Sequence, residues 1–521
     1  MARMTVRELL EERAGRYGDK TFLIVPEDDR AFSYHDFDLA INRTAQVLHG
    51  LGIGHGDKVA ILTTNVPEFL FAFFGAMKLG AVAAPINNLL KAAEMQFIMA
   101  HAEAKVLLTM PRFLDLVRSI RDELPDLREV LVAGSAEDEP GTRNFLGLCS
   151  LAPAMAPPAS IDPDDEAVIL YTSGTTGKPK GVLITHANLI ADARDVSNWH
   201  RLGERDRTIC VLPLFHVNGE VLSTMTPLYT GGSVVLPERF SASRFWPDAA
   251  RYRPNWFSAA PTVLTILLNT PVDRAALDVS SLRFCLCGTA PLPVELHRRF
   301  EETFGIMVLE GYGLTETTCR STFNPHPPEG AGILGRSDRY RKLGSVGLPI
   351  GNEVRVFDDA DRDVPARAVG EVVVRGENVM KGYYRDPAAM AEAMRAGWLH
   401  TGDLGYKDED GYLYITDRKK DMIIRGGENI YPREVDEVLY AHPKVHQAAA
   451  VGVPDAKYGE DVVAFVVLKE GETASEAEIL RFCRARLADY KCPKAVRFLD
   501  DIPKGPTGKL LRRRLRELYG E

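Results

Sequence analysis

The chain has 521 residues, 45% hydrophobic and 26% charged, so it is too apolar to be disordered and too long for a single core. Its 63 basic residues are outnumbered by 72 acidic ones, and the net charge of −9 argues against nucleic acid as the main partner. No apolar run is long enough to span a bilayer. The opening "MARMTVRELLEERAG" has no apolar signal-peptide core and the closing "LYGE" is no peroxisomal tripeptide, so a cytoplasmic protein is expected.

In chain order, Ser33 caps a helix whose apolar positions Phe37, Ile41 and Leu48 share one face, and Gly50 and Gly52 end it. "KVAIL" is a buried strand; Pro67 opens the helix "EFLFAFFGAMKLG", and "AVAAPI" is the next strand. A helix over 91–104 then leads into the strand "KVLLT". That alternation predicts an α/β fold with parallel sheets covered by helices. The proline-rich 151–165 is a connector, followed by the strand "EAVILY", and alternation resumes through "TICVLPLF", "GGSVVLP" and "LRFCLCGTAPLP". From about residue 343 the short strands "EVRVFD", "GEVVVRG" and "GYLYITD" predict a β-rich subdomain. Beyond "TDRKKD" the remaining residues form a separate small α/β domain, which divides the chain into 1–417 and 418–521. The seven cysteines are scattered and Cys285-x-Cys287 has no second cluster, a poor zinc signal that fits a reducing compartment. Arg512 to Arg514 alternate with leucines as a solvated helix face would.

Tyr171 to Gly181, "YTSGTTGKPKG", is built for phosphate yet breaks the Walker A rule. The spacing would need glycine where Thr172 stands, and Pro179 occupies the place of the metal-binding Ser or Thr. Proline there, followed by "GVLIT", also argues against a helix opening on the phosphates. Gly174 and Gly177 let backbone N–H groups converge. Thr172, Ser173, Thr175 and Thr176 add hydroxyls, and Lys178 and Lys180 add charge.

This loop resembles the signature of the adenylate-forming superfamily of acyl-CoA synthetases, adenylation domains and luciferases. The segments "KLGAVAAPINN", "LPLFHVNG", "GYGLTET", "GEVVVRG", "WLHTGDLGY", "DRKKDMIIRGGENIYP" and "PKGPTGK" match in the family's order over nearly the whole chain. The resemblance implies that Tyr312, flanked by Gly311 and Gly313, stacks on adenine, Thr315 faces the phosphates and Glu316 helps hold Mg²⁺. Gly288, Thr289 and Ala290 would line one side of the adenine and acyl pocket, and Asp403 and Arg418 would hold the ribose hydroxyls. Lys509, carried by the small domain, would sit between the substrate carboxylate and the α-phosphate, where charge builds during attack. Lys420 matches the hinge about which the small domain turns, bringing Gly426 and Gly427 to a pantetheine arm.

The run Phe215-His216-Val217-Asn218 contains no acid to bind an amino group, so an amino-acid substrate is disfavoured and a carboxylate–CoA ligase using ATP, Mg²⁺ and coenzyme A is expected. His216 would border the carboxylate. Malonate-type ligases tend to carry Arg where Gly311 stands, and that glycine leaves room for a fatty, aryl or other apolar monocarboxylate. A small dicarboxylate remains open if Arg320 or Arg336 replaces the missing anchor. A ligase loading a carrier protein is the other alternative, and a homodimer is implied by the resemblance alone.

Overall fold

The computed structural model describes residues 3–135, 137–172, 179–272, 277–327, 340–505 and 510–520. An eight-stranded sheet runs Gly382–Tyr383, Lys180–Thr185, Glu166–Thr172, Val82–Pro85, Lys58–Leu62, Ala104–Thr109, Glu129–Val132, Arg143–Asn144, parallel from Glu166–Thr172 onward. A nine-stranded sheet runs Leu348–Pro349, Thr322–Phe323, Met307–Tyr312, Phe284–Cys287, Trp256–Ala259, Arg207–Ile209, Ser233–Val235, Thr21–Val25, Arg30–Ser33. Its centre is parallel and its edges antiparallel.

The helix Tyr34–Gly50 starts where Ser33 and Asp36 bond each other's backbone N–H groups in a capping box. Its apolar stripe packs on Pro67–Lys78, which Pro67 opens and which is buried along its whole length. Gly75 permits that contact, since a Cβ there would lie 2.9 Å from Thr44 Cγ2. Buried rings such as Phe37, Phe73 and Phe74 contribute roughly 1.5–3 kcal/mol each. The helix expected over 91–104 is shorter, Ala92–His101, because Glu103 turns into the left-handed region (φ +55°) and Ala104 already belongs to the next strand.

The β-rich subdomain is a five-stranded antiparallel sheet built on Asn352–Phe357, Gly370–Gly376, Trp398–Lys407 and Leu413–Arg418. After it, Ile423–Arg425, Glu428–Ile430, Val445–Asp455, Gly459–Leu468 and Ala495–Phe498 form a sheet with cores of its own, including Ile423, Val435, Val462 and Ile479 on one side and Val451, Phe465 and Leu515 on the other. The architecture is thus mixed α/β, with a large N-terminal domain of mainly parallel sheets and a small C-terminal domain. Polar bonds join the two: Arg433 donates from its N–H to Asp417 Oδ2 at 3.0 Å and from Nη1 to Ile415 O at 2.7 Å, and Val294 N–H reaches Glu437 Oε2 at 3.4 Å. Among the described residues no helix is long and apolar enough to cross a membrane.

Candidate active site

A cavity of about 1120 Å³ opens between the large domain and the small one. Of the residues singled out in the sequence, Thr289, Ala290, Gly311, Tyr312, Asp403 and Arg418 line it. They come from the C-terminal ends of Phe284–Cys287 and Met307–Tyr312 and from facing strands of the β-rich sheet, where Asp403 pairs with Arg418. Tyr312 OH donates to Asp403 Oδ2 at 2.7 Å, and Arg418 Nε pairs with Oδ1 at 3.1 Å. Each carboxylate oxygen keeps a lone pair free, which is what accepting both hydroxyls of a ribose requires. Burial and the adjoining Asp403 carboxylate push the Tyr312 phenol upward, so it stays a donor at neutral pH.

A second group of these residues stands together, away from that wall. The loop joins Glu166–Thr172 to the antiparallel strand Lys180–Thr185, so the chain after Pro179 is a strand and not a helix, as the Walker A argument required. Thr172 is cross-strand neighbour of Lys180, whose ammonium lies 5.0 Å from the Tyr383 ring centre. Tyr383 OH in turn donates to Glu316 Oε1 at 2.9 Å, one residue beyond Thr315 in a short 3-10 turn. Lysine, threonines and a half-buried carboxylate therefore share one locale suited to polyphosphate and its cation. Among the described residues no set of His, Cys, Asp and Glu could hold a metal by itself. Ser173, Gly174, Thr175 and Thr176 lie outside the described residues.

Lys509 lies outside them too, but its described neighbours Gly505 and Leu510 line the cavity, together with Lys504 and Arg512. Lys420 is exposed in the turn between Leu413–Arg418 and Ile423–Arg425, the link between the two domains' sheets. Gly426 and Gly427 are the two-residue turn of the hairpin Ile423–Arg425/Glu428–Ile430, at φ +61° and +92°. Positive φ at both is why glycine stands there, and neither residue is on the cavity wall.

Three expectations change. Gly311 does not leave room for an acyl group: a Cβ there would lie 2.4 Å from the Phe323 ring, which fills the space from the neighbouring antiparallel strand. His216 is not on the wall, although Pro213 and Phe215 are; its Nδ1 accepts the Asn218 N–H at 3.2 Å. Gly288 sits behind the wall, its Cα facing the Arg320 guanidinium. Sequence reasoning also passed over wall residues Asp417, Asp421 and Arg433, and over Glu220, a fully buried acid two residues beyond the acid-free run. Only the charged cluster "TDRKKD" signalled any of them.

Residues 10–384 match the AMP-binding enzyme family, and residues 434–509 match the AMP-binding enzyme C-terminal domain. The sulfoacetate–CoA ligase of Cupriavidus necator is 41% identical over 98% of this chain and 97% of its own length. The oxalate–CoA ligase of Arabidopsis thaliana is 36% identical over 98% and 97%. The crystal structure of the anthranilate CoA ligase AuaEII in complex with anthranoyl-AMP superposes with a TM-score of 0.91 at 32% identity, covering 99% of this chain and 98% of that one. With both parts of the family present and in order around one cavity, the chain belongs to the AMP-binding, adenylate-forming enzyme family.

Proposed function

We propose that this protein is an AMP-forming carboxylate–CoA ligase. The observation that carries the reading is the single cavity bounded by Tyr312, Asp403 and Arg418 on the large domain and by Gly505 and Leu510, beside Lys509, on the small one. ATP lies with its ribose on Asp403 and its polyphosphate toward Thr172, Lys180 and Glu316. A carboxylate oxygen attacks the α-phosphorus, the bond to the β-phosphate oxygen breaks and pyrophosphate leaves. The thiolate of coenzyme A then attacks the acyl carbon of the mixed anhydride and AMP departs. Positioning and charge neutralisation supply the acceleration. The division at 417/418, Mg²⁺ as the cation and the cytoplasm as the place of action belong to the same reading.

The test is AMP release with and without coenzyme A over a panel of carboxylic acids. Turnover that requires both an acid and CoA is expected; product release independent of CoA, or none with any acid, overturns the assignment. For the acyl group, an apolar fatty or aryl acid has in its favour the wall residues Val211, Leu212, Phe240, Val263 and Ile266. The buried polar atoms behind the inner wall favour a different acid, argued below.

With Lys420 as the hinge, Lys420→Pro fixes φ at about −65° and blocks the rotation. Acyl-AMP formation, followed by pyrophosphate release, should persist, while thioester formation from supplied acyl-AMP should fall at least about tenfold. Equal loss of both half-reactions would count against the hinge.

A further inference from the structure

Arg320 is 2% exposed, and its Nε and Nη2 have no hydrogen-bond acceptor among the described residues. Asp192, the carboxylate acting on it, spends Oδ2 on the Arg320 backbone N–H at 2.9 Å rather than on the guanidinium. Two buried guanidinium nitrogens without an acceptor are costly and rare in a native chain, and the Phe323 ring centre 5.6 Å from Arg320 Cζ offsets that only in part. The arrangement is explained if an anion arrives to pair with them.

The place of that guanidinium is fixed by two glycines. A Cβ on Gly313 would fall 2.7 Å from Arg320 Cα, and one on Gly288 would fall 2.9 Å from Nη2. Gly313 is on the cavity wall and Gly288 immediately precedes the wall residues Thr289 and Ala290. The charge therefore lies directly behind the inner wall, at the C-terminal ends of parallel strands, where open α/β sheets take their ligands. One wall residue and one neighbour of the wall share its lack of partners. Thr289 is held at φ +72°, an uncommon conformation for a β-branched residue, with Oγ1 buried and unpaired. Asn218 is 0% exposed with neither amide atom paired, in the segment whose Pro213 and Phe215 line the cavity.

Resting on the ligase reading above, we propose that the acid activated here is short and carries a second anionic group, a sulfonate or a carboxylate, which Arg320 binds. The planar fork of the guanidinium suits two oxygens of either group at once. The Thr289 hydroxyl and the Asn218 amide offer further donors to the same end of the molecule. The acid is short because Arg320 lies on the same loop as Thr315, which the ligase reading sets against the phosphates, and only three residues past the turn Thr315–Thr317. Glu220 does not compete by drawing in a cationic acid. Burial raises its carboxyl well above the ordinary range and so disfavours the charged form that would attract a cation.

The test compares kcat/KM, by CoA-dependent AMP release, for sulfoacetate, malonate, propionate and γ-butyrobetaine. At least one of the two dianions should exceed propionate by about 100-fold or more, because the monoanion leaves the buried charge unpaired; which of them leads identifies the second group. Arg320→Met should collapse that ratio toward one. Gly288→Ala, whose methyl would meet Nη2, should lower the ratio with the guanidinium still present, and it carries the test if Arg320→Met does not fold. A wild type that prefers propionate or γ-butyrobetaine, or a ratio unchanged in the folded variants, overturns the proposal. Absence of CoA-dependent AMP release with all four acids and with longer fatty and aryl acids overturns the ligase reading, and this proposal with it.

Discussion

Lys509→Ala should slow acyl-AMP formation by about 10³-fold and leave the conversion of supplied acyl-AMP to thioester near its original rate. As the carboxylate approaches the α-phosphorus, two groups of like charge are brought together and further charge gathers on the non-bridging oxygens. An ammonium fixed between them lowers that barrier and costs no reorganisation at the moment of reaction, whereas water would have to turn to do the same. Lys504, which lines the cavity, cannot stand in easily, since its Nζ is held by Asp501 Oδ1 at 2.8 Å. Pyrophosphate release measures the first half-reaction, and thioester formation from synthetic acyl-AMP measures the second. A Lys509→Ala enzyme that still releases pyrophosphate at the original rate would remove Lys509 from the chemistry.

Asp403→Ala should lower kcat/KM for ATP by about 10³-fold, with most of the loss in KM. The substitution removes the acceptor for the ribose hydroxyls and does more besides. Arg418 loses the carboxylate held 3.1 Å from its Nε, and the Tyr312 hydroxyl loses its acceptor at 2.7 Å. A guanidinium and a phenol are then left without partners in the wall that must receive the nucleotide. Losing two hydrogen bonds from ribose hydroxyls to a charged carboxylate, each worth about 1.5–3 kcal/mol, is the basis of the expected loss. Calorimetric titration with a non-hydrolysable ATP analogue separates binding from turnover, and thermal unfolding checks that the chain stays folded. An unchanged affinity in the folded variant would rule out Asp403 as a nucleotide ligand.

Much of this arrangement was legible in the sequence where the cause is local. Ser33 and Pro67 start their helices because capping and fixed φ act within a few residues. Pro179 excludes a Walker A helix for the same reason, and the strand Lys180–Thr185 follows it. The ordered motifs located Tyr312, Asp403 and Arg418, which lie as much as 106 residues apart and yet meet in one wall. What the sequence did not disclose is what fills space between strands. Gly311 looks like an opening until Phe323 is seen packed over it, a fact of register between Met307–Tyr312 and Thr322–Phe323. The segment Asn218–Met225 winds as a π-helix, which takes Asn218 and Glu220 fully into the interior. No periodicity announced that turn, because π-helices are rare and short. The sequence offers Arg320 only as one of two arginines that could anchor a second carboxylate, and its burial is a fact of the fold.

The contact between the two domains has a consequence for the order of events. Arg433 is held by the Asp417 carboxylate, the Ile415 carbonyl and, at 3.8 Å, the Glu310 carboxylate of the large domain, and Glu437 by the Val294 N–H. Water can replace these polar bonds at small cost, and among the described residues no apolar cluster spans the two domains. Two orientations of the small domain would then differ little in free energy, and whatever occupies the cavity would tip the balance between them. If the small domain turns about Lys420 as proposed, the charges of a bound triphosphate would hold it down, and that grip would go with the pyrophosphate. The departure of the first product would itself be the cue for the second reaction, and no further sensor would be needed.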